Sequence, residues 1–219
     1  MKNLIIAIDG PSGAGKGTLA RTVAQRLGYR HVDTGAMYRA VAWKAAHDAV
    51  SLDDDDAVSA IATHAVLDQA DGRITIDGHD VTREIRTPEV DKAAASVARL
   101  PHVRGVLVAR QRDIGANGGV VMEGRDIGTV VFPDADLKIY LDASAEVRAR
   151  RRASDEAHTG GTDGLANVRS DLVARDKTDS TRAVAPLTRA KDAVYIDTSE
   201  MPIEAVVNHV LMLLLDKLP

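Results

Sequence analysis

The stretch Ile6-Ala7-Ile8-Asp9-Gly10-Pro11-Ser12-Gly13-Ala14-Gly15-Lys16-Gly17-Thr18 constrains this chain more than any other. Residues 4–8 form an apolar run that reads as a buried strand. A glycine-rich turn follows. Leu19, Val23 and Leu27 then recur at the spacing of an amphipathic helix's inner face, and Gly28 stands where a helix C-cap glycine belongs. Strand, glycine loop and helix in that order give a lysine-bearing glycine loop its physical meaning, a cradle for phosphate.

Each part of that cradle has a task. Glycines let successive backbone N–H groups point at phosphate oxygens, and the helix N-terminus adds partial positive charge. Lys16 can reach β/γ oxygens, and Thr18 offers a hydroxyl near a metal. The whole loop Gly10-Pro11-Ser12-Gly13-Ala14-Gly15-Lys16-Gly17-Thr18 is therefore assigned to ATP, with Mg2+ beside it; no protein ligand set for the metal is read from the sequence. Gly17, rather than Ser or Thr, follows the lysine. The form Gly-Lys-Gly-Thr resembles nucleoside-monophosphate kinases more than GTPase switches.

Composition narrows the partners. The chain has 219 residues, 45% of them hydrophobic and 27% charged, which suits one main domain with an insertion. A net charge of −4 and only 3% aromatics argue against nucleic acid, by charge and by base stacking. Cysteine is absent, which excludes a disulfide frame and thiolate metal sites and fits a cytoplasmic setting. Residues 1–8 are too short for a leader before the phosphate loop, and no apolar run approaches the roughly 20 residues of a membrane span.

Further along, residues 29–33 read as a short strand, and Thr34 as the N-cap of a helix reaching about His47. Asp53 to Asp56 read as a helix N-terminus, with a cation site as the sharper alternative. From 65 to 82 the period changes to two, with turns at 70–72 and 77–78, so a small antiparallel sheet is expected inside an α/β chain. Helical patterns resume at Pro88 and break at Pro101. Arg104, Arg110 and Arg112 read from their pattern as mostly solvated. Residues 119–122, 137–141 and 193–196 are three more strands, and residues 153–164 a mobile glycine-bearing loop. Pro202 opens a last helix with a core stripe of Val206, Val207, Val210, Leu211 and Leu214. Strands alternating with helices predict a parallel sheet. The charged turn Glu123-Gly124-Arg125-Asp126 follows a strand end, where open α/β sheets place ligands.

Several segments resemble the bacterial-type cytidylate kinases. They are Asp33-Thr34-Gly35-Ala36-Met37-Tyr38-Arg39, Glu84-Ile85-Arg86-Thr87-Pro88-Glu89-Val90, the run from Gly124 to Ala135, and Arg175-Asp176 with Asp179, Arg182 and Ala185-Pro186-Leu187. The likeness spans almost the whole chain. It implies a five-stranded parallel sheet with flanking helices, a phosphate loop, a lid at about 148–178 and an acceptor-binding insert at about 34–112, all in one kinase domain over 1–219. It implies transfer of the ATP γ-phosphate to CMP or dCMP, in a cytoplasmic enzyme of pyrimidine nucleotide metabolism expected to be a monomer. Carried over residue by residue, Thr34, Tyr38, Arg39, Arg125 and Arg182 belong to the acceptor's phosphate-binding segments, Arg104 and Asp126 read cytosine, and Arg175 and Asp179 contact the sugar. Lys16, Arg125, Arg182 and the basic helix bearing Arg148, Arg151 and Arg152 supply the charges for transfer, with at least one of the last three closing over the transferring phosphate.

Two departures stand out. Ala95 replaces a serine that often helps bind the base, with Ser96 one place later, and residues 153–164 are atypical. Other readings are a phosphate-loop kinase for a different acceptor, such as UMP, AMP or a metabolite alcohol, and a nucleotide-dependent switch. A switch leaves the second set of arginines without a role. Phosphoryl transfer uses them, because its catalysis is mostly positioning and charge neutralisation.

Overall fold

The computed structural model describes residues 3–70, 72–155 and 164–215. The run after the N-terminus becomes β1 (Ile5–Asp9), whose Ile6 and Ile8 face one side of the sheet and Ala7 the other. Burial on both sides is why the run is apolar throughout rather than alternating. Helix α1 (Lys16–Leu27) starts at the phosphate loop and buries Leu19, Ala20 and Val23. It ends at Gly28 in the left-handed conformation (φ 66°), where the N–H groups of Gly28 and Tyr29 reach Gln25 O and Ala24 O.

Strand β2 (Arg30–Asp33) leads straight into α2 (Thr34–His47). The expected cap is off by one: Asp33 caps α2, its Oδ1 accepting from Ala36 N at 3.0 Å. Thr34 instead donates from its hydroxyl to Glu123 O at 2.7 Å, tying the helix start to the next strand of the sheet. The acidic run does open a helix, α3 (Asp55–His64), capped by Asp54. The inserted sheet follows as β3 (Leu67–Ala70), β4 (Arg73–Ile76) and β5 (His79–Asp80), with Asp77 and Gly78 both at positive φ in the β4–β5 turn.

Pro88 and Pro101 both stand in the first turn of a helix, α4 (Pro88–Val97) and α5 (Pro101–Gly115), where a missing N–H costs nothing. The three arginines expected as mostly solvated are engaged: Arg104 is buried, Arg110 donates to Thr63 O and Ala65 O, and Arg112 to Val130 O and Val131 O. Strand β6 (Val120–Gly124) is buried throughout and runs into a π-helical turn, Ile127–Val131. Then come β7 (Leu137–Asp142), α6 (Ala145–Ala153), α7 (Leu165–Thr181), β8 (Val194–Asp197) and α8 (Ile203–Leu215). The loop expected at 153–164 falls largely on residues 156–163, outside the described ones.

The five long-range strands form one parallel sheet in the order β2-β6-β1-β7-β8, and β3-β4-β5 form a separate antiparallel sheet. Helices α1 and α8 cover one face of the main sheet, with Leu19 and Val23 meeting Val207, Val210 and Leu214. The other face packs on the π-helical turn and α5. Helix α2 carries two satellite cores, Met37 and Val41 against α3–α5, and Ala36 and Ala40 against Ile74, Ile76 and Val81 of the insert. Asp9, Asp33 and Gly124 thus end adjacent parallel strands at the carboxyl end of the sheet, at the crevice where ligands sit in such folds. No helix among the described residues is long and apolar enough to cross a membrane.

Candidate active site

The phosphate loop is held by close backbone contact. A Cβ on Gly10 (φ 147°) would stand 1.9 Å from Leu141 O, and Gly13 (φ 78°) presses on Arg148. At Gly17, after the lysine, a Cβ would lie 3.2 Å from Glu123 Oε1, a side-chain end that would have to give by a few tenths of an ångström. Lys16 is buried, with Nζ donating to Pro11 O at 2.7 Å. Burial first, and then the charge of Arg125, push its ammonium down to about 7 against the pull of Glu123 and Asp9. Ser12 to Thr18 line a cavity of about 920 Å3; Gly10 and Pro11 support the loop from behind.

The same cavity runs on to a second pocket rich in arginine. Arg39 pairs with Asp33 (2.9 Å), Arg125 with Asp179 (2.9 Å), Arg175 with Asp91 (3.2 Å), and Arg104 with Asp126. Arg182 stands 3.6 Å from Asp126 and donates through Nε to Ala185 O. Thr34 and Tyr38 also line this end, and burial pushes the Tyr38 hydroxyl up to about 12. All nine residues expected for the acceptor therefore meet in one space. Burial lowers Arg175 and Arg182 from their ordinary range. Among the described residues, Arg39 Nε, Arg175 Nε and Arg182 Nη2 are buried without a hydrogen-bond partner. Buried donors of that kind are costly unless an anion meets them. Ala95 lines the cavity, whereas Ser96 is exposed and cannot substitute for a serine at that place.

The basic helix α6 divides its arginines. Arg148 does not reach the cavity lining: it is buried under the phosphate loop, donating to Ala143 O, Ser12 O and the Asp176 carboxylate. Arg151 is tied to Thr198 through its hydroxyl (2.9 Å) and carbonyl (2.7 Å), beside Met201, Ile203 and Val206 at an apolar end of the cavity. Arg152 pairs with Asp91, and burial pushes its guanidinium down to about 10, with Asp91 opposing.

Several residues here escape sequence reasoning. Asp9 accepts from Ile127 N (2.8 Å) and Gly128 N (2.7 Å), fastening the turn that presents Arg125 and Asp126. Glu123 lies beside Gly17 and meets His31 Nε2 at 3.0 Å. Asp91, Thr198 and Met201 carry no motif signal. Asp9 and Glu123 do, as acids ending strands beside the loop. No group of three or more His, Cys, Asp or Glu among the described residues could hold a metal by itself. Magnesium needs no such cage when phosphates supply most ligands. The oxygen groups of Thr18 and Glu123 fit that donor set.

The family profile described as cytidylate kinase matches residues 6–215. A cytidylate kinase of Desulfitobacterium hafniense is 49% identical over 219 residues, covering 99% of this chain and 94% of its own. One from Rhodococcus opacus is 47% identical over 221 residues, covering 98% and 96%. A solved shikimate kinase from Acinetobacter baumannii, in complex with shikimate, shares the fold at 16% identity and a TM-score of 0.51, covering 98% of this chain and 94% of its own. With the profile spanning nearly its whole length, the chain belongs to the cytidylate kinase family.

Proposed function

We propose that this chain moves the γ-phosphoryl group of ATP onto the phosphate of CMP or dCMP, giving ADP and CDP or dCDP. One observation carries the reading: a single cavity joins the phosphate loop to an arginine pocket in which three buried guanidinium nitrogens have no hydrogen-bond partner. Two polyanions meeting there would satisfy those donors, and holding them in line supplies most of the catalysis such a transfer needs.

In this reading Lys16 neutralises charge developing between the β- and γ-phosphates. Arg39, Arg125, Arg182 and Tyr38 hold the acceptor phosphate, with Thr34 fixing the helix that carries two of them. Arg104 and Asp126 read the base, and Arg175 and Asp179 contact the sugar. Thr18 and Glu123 would hold Mg2+ with the ATP phosphates; the ion's part is to neutralise phosphate oxygens. Arg151 and Arg152 serve the donor side, and Arg148 acts by shaping the loop. Residues 34–112 form the acceptor-binding part and residues 148–178 the donor-side part of one kinase domain. Every group invoked comes from this one chain, which favours a monomer, and the cysteine-free composition suits the cytoplasm.

ADP formation tests the reading. It should require CMP and fall by roughly a hundredfold or more in Lys16→Ala, as for loss of a preorganised charge contact. ADP released at the same rate without an acceptor would make the chain a hydrolase or switch instead.

A further inference from the structure

Glu123, next to last in β6, is buried beside Gly17 of the phosphate loop and lines the cavity. Lys16 and Arg125 both feel its charge. Two neighbours hold it in place. The Thr34 hydroxyl at the start of α2 donates to its backbone carbonyl at 2.7 Å, and His31 Nε2 on β2 meets its Oε1 at 3.0 Å. In the parallel register His31 stands across from Val121, two residues before Glu123 and therefore on the same face of the sheet. The His31 side chain is 14% exposed and does not line the cavity; it borders a small side cleft with Gln69, Ile74 and Thr82 of the insert. Among the described residues no hydrogen bond reaches Glu123 Oε2.

A carboxylate free to rotate beside an ammonium and a guanidinium is drawn toward either. An ionised carboxylate only accepts, so Nε2 acts toward Oε1 as a donor. That bond fixes one oxygen and leaves the other able to accept. Magnesium bound with nucleotide phosphates uses one or two carboxylates from the protein. The groups that hydrogen-bond such a carboxylate from behind set its orientation and commonly change metal affinity by about 10–100-fold.

We propose that His31 is a positioning residue, holding the Glu123 carboxylate in place for the divalent cation that accompanies ATP. The inference rests on the kinase reading above. A purely structural His31 would pack β2 against the insert, and its loss would lower stability, or lower nucleotide affinity equally with and without the metal.

Calorimetry with β,γ-methylene-ATP, once in Mg2+ and once in EDTA, gives the factor by which the metal strengthens binding. Wild type should gain about tenfold or more from the metal. His31→Phe keeps a ring of similar bulk and drops both nitrogens. It should bind the analogue in EDTA within about twofold of wild type, and its metal factor should fall about tenfold. His31→Gln, whose amide can donate to the same oxygen, should keep the factor within about threefold of wild type. Glu123→Gln should also lose the factor, and adding His31→Phe to it should cost little more, as for two residues acting through one contact. An undiminished factor in His31→Phe, an equal loss in EDTA, or no metal effect in wild type overturns the proposal. The kinase reading fails separately, by ADP formation that needs no CMP. Should His31→Phe not fold, His31→Asn, too short to reach Oε1, takes its place with the same expected and contradicting results.

Discussion

Asp126 and Arg104 form a buried ion pair in the lining of the cavity, with the Arg104 guanidinium 5.9 Å from the Tyr38 ring centroid. Arg182 approaches the other carboxylate oxygen. Each charge offsets the other in a place where a lone charge would be expensive. It also presents an acceptor and a donor side by side. That matches cytosine, whose N4 donates and whose N3 and O2 accept, and mismatches uracil at two positions.

Asp126→Asn should therefore lower the ratio of kcat/KM for CMP over UMP, by a factor of about 10²–10⁴, since a hydrogen-bonding site discriminates on that scale. Asparagine is a better probe than alanine, because alanine would leave Arg104 buried without its partner. Steady-state kinetics with both acceptors decide the matter. Equal losses for both, with the ratio preserved, would leave Asp126 only a brace for its neighbours.

Gln69 links the inserted sheet to the site. Its side-chain amide accepts from Asp33 N (3.2 Å) and donates to Asp33 O (3.3 Å), imitating a further strand along the edge of β2. Asp33 in turn caps α2 and holds Arg39. Gln69→Ala should raise KM for CMP by about tenfold, the scale of one or two lost hydrogen bonds, and leave KM for ATP within about twofold. An unchanged CMP KM would reduce the insert to a packing feature.

Asp9 predicts a pH dependence of stability. Burial, the largest influence, raises its carboxyl from the ordinary 3.8 to about 6, against the two amides that favour the ionised form. Between those values the folded chain binds more protons than the unfolded one, so Asp9 makes stability fall as pH rises from about 4 to about 6. The penalty is absent below the unfolded value and fully present above the folded one. Asp9→Asn removes the ionisation. Its unfolding free energy, minus that of wild type, should shift in the variant's favour by about 3 kcal/mol at most between pH 4 and pH 7. Denaturant curves that stay parallel over that range would refute this account of Asp9.

The arginines of α6 should separate by experiment as they do in space. Arg152→Ala should lower kcat by about 10³-fold or more, with a smaller change in KM, as for an arginine supplied to the transferring phosphate. Arg148→Ala should instead destabilise the fold by about 3–5 kcal/mol, because Asp176 loses its buried partner. Thermal melts and kinetics on both variants check this, and equal kinetic effects without a melting change for Arg148→Ala would contradict it.

The strand–loop–helix unit was legible in the sequence because propensity, apolar period and glycine placement agree there within one short stretch. The inserted sheet was legible for the same reason, through a change of period and the Asp77-Gly78 turn. Tertiary partners were not. Thr34 and Asp33 are both good caps by residue type, and only the position of Glu123 O on the neighbouring strand draws the Thr34 hydroxyl away. Arg110 and Arg112 look like a solvated helix face until the carbonyls of Thr63, Ala65, Val130 and Val131 are placed beside them. Arg148, Arg151 and Arg152 share a helix and differ only in what lies opposite: Ser12 and Asp176, Thr198, or Asp91. Asp91 has no local signature at all, being an ordinary first-turn acid whose importance comes from α6 and α7.

In the reading proposed above, one cavity joins ATP to a cytosine-bearing monophosphate. The reading's most direct test is kcat/KM measured under identical conditions for CMP, dCMP, UMP and AMP with saturating ATP and Mg2+. CMP and dCMP should lead, with UMP and AMP lower by factors that the Arg104–Asp126 pair can impose, up to about 10⁴. A rate for UMP or AMP equal to or above that for CMP would contradict it.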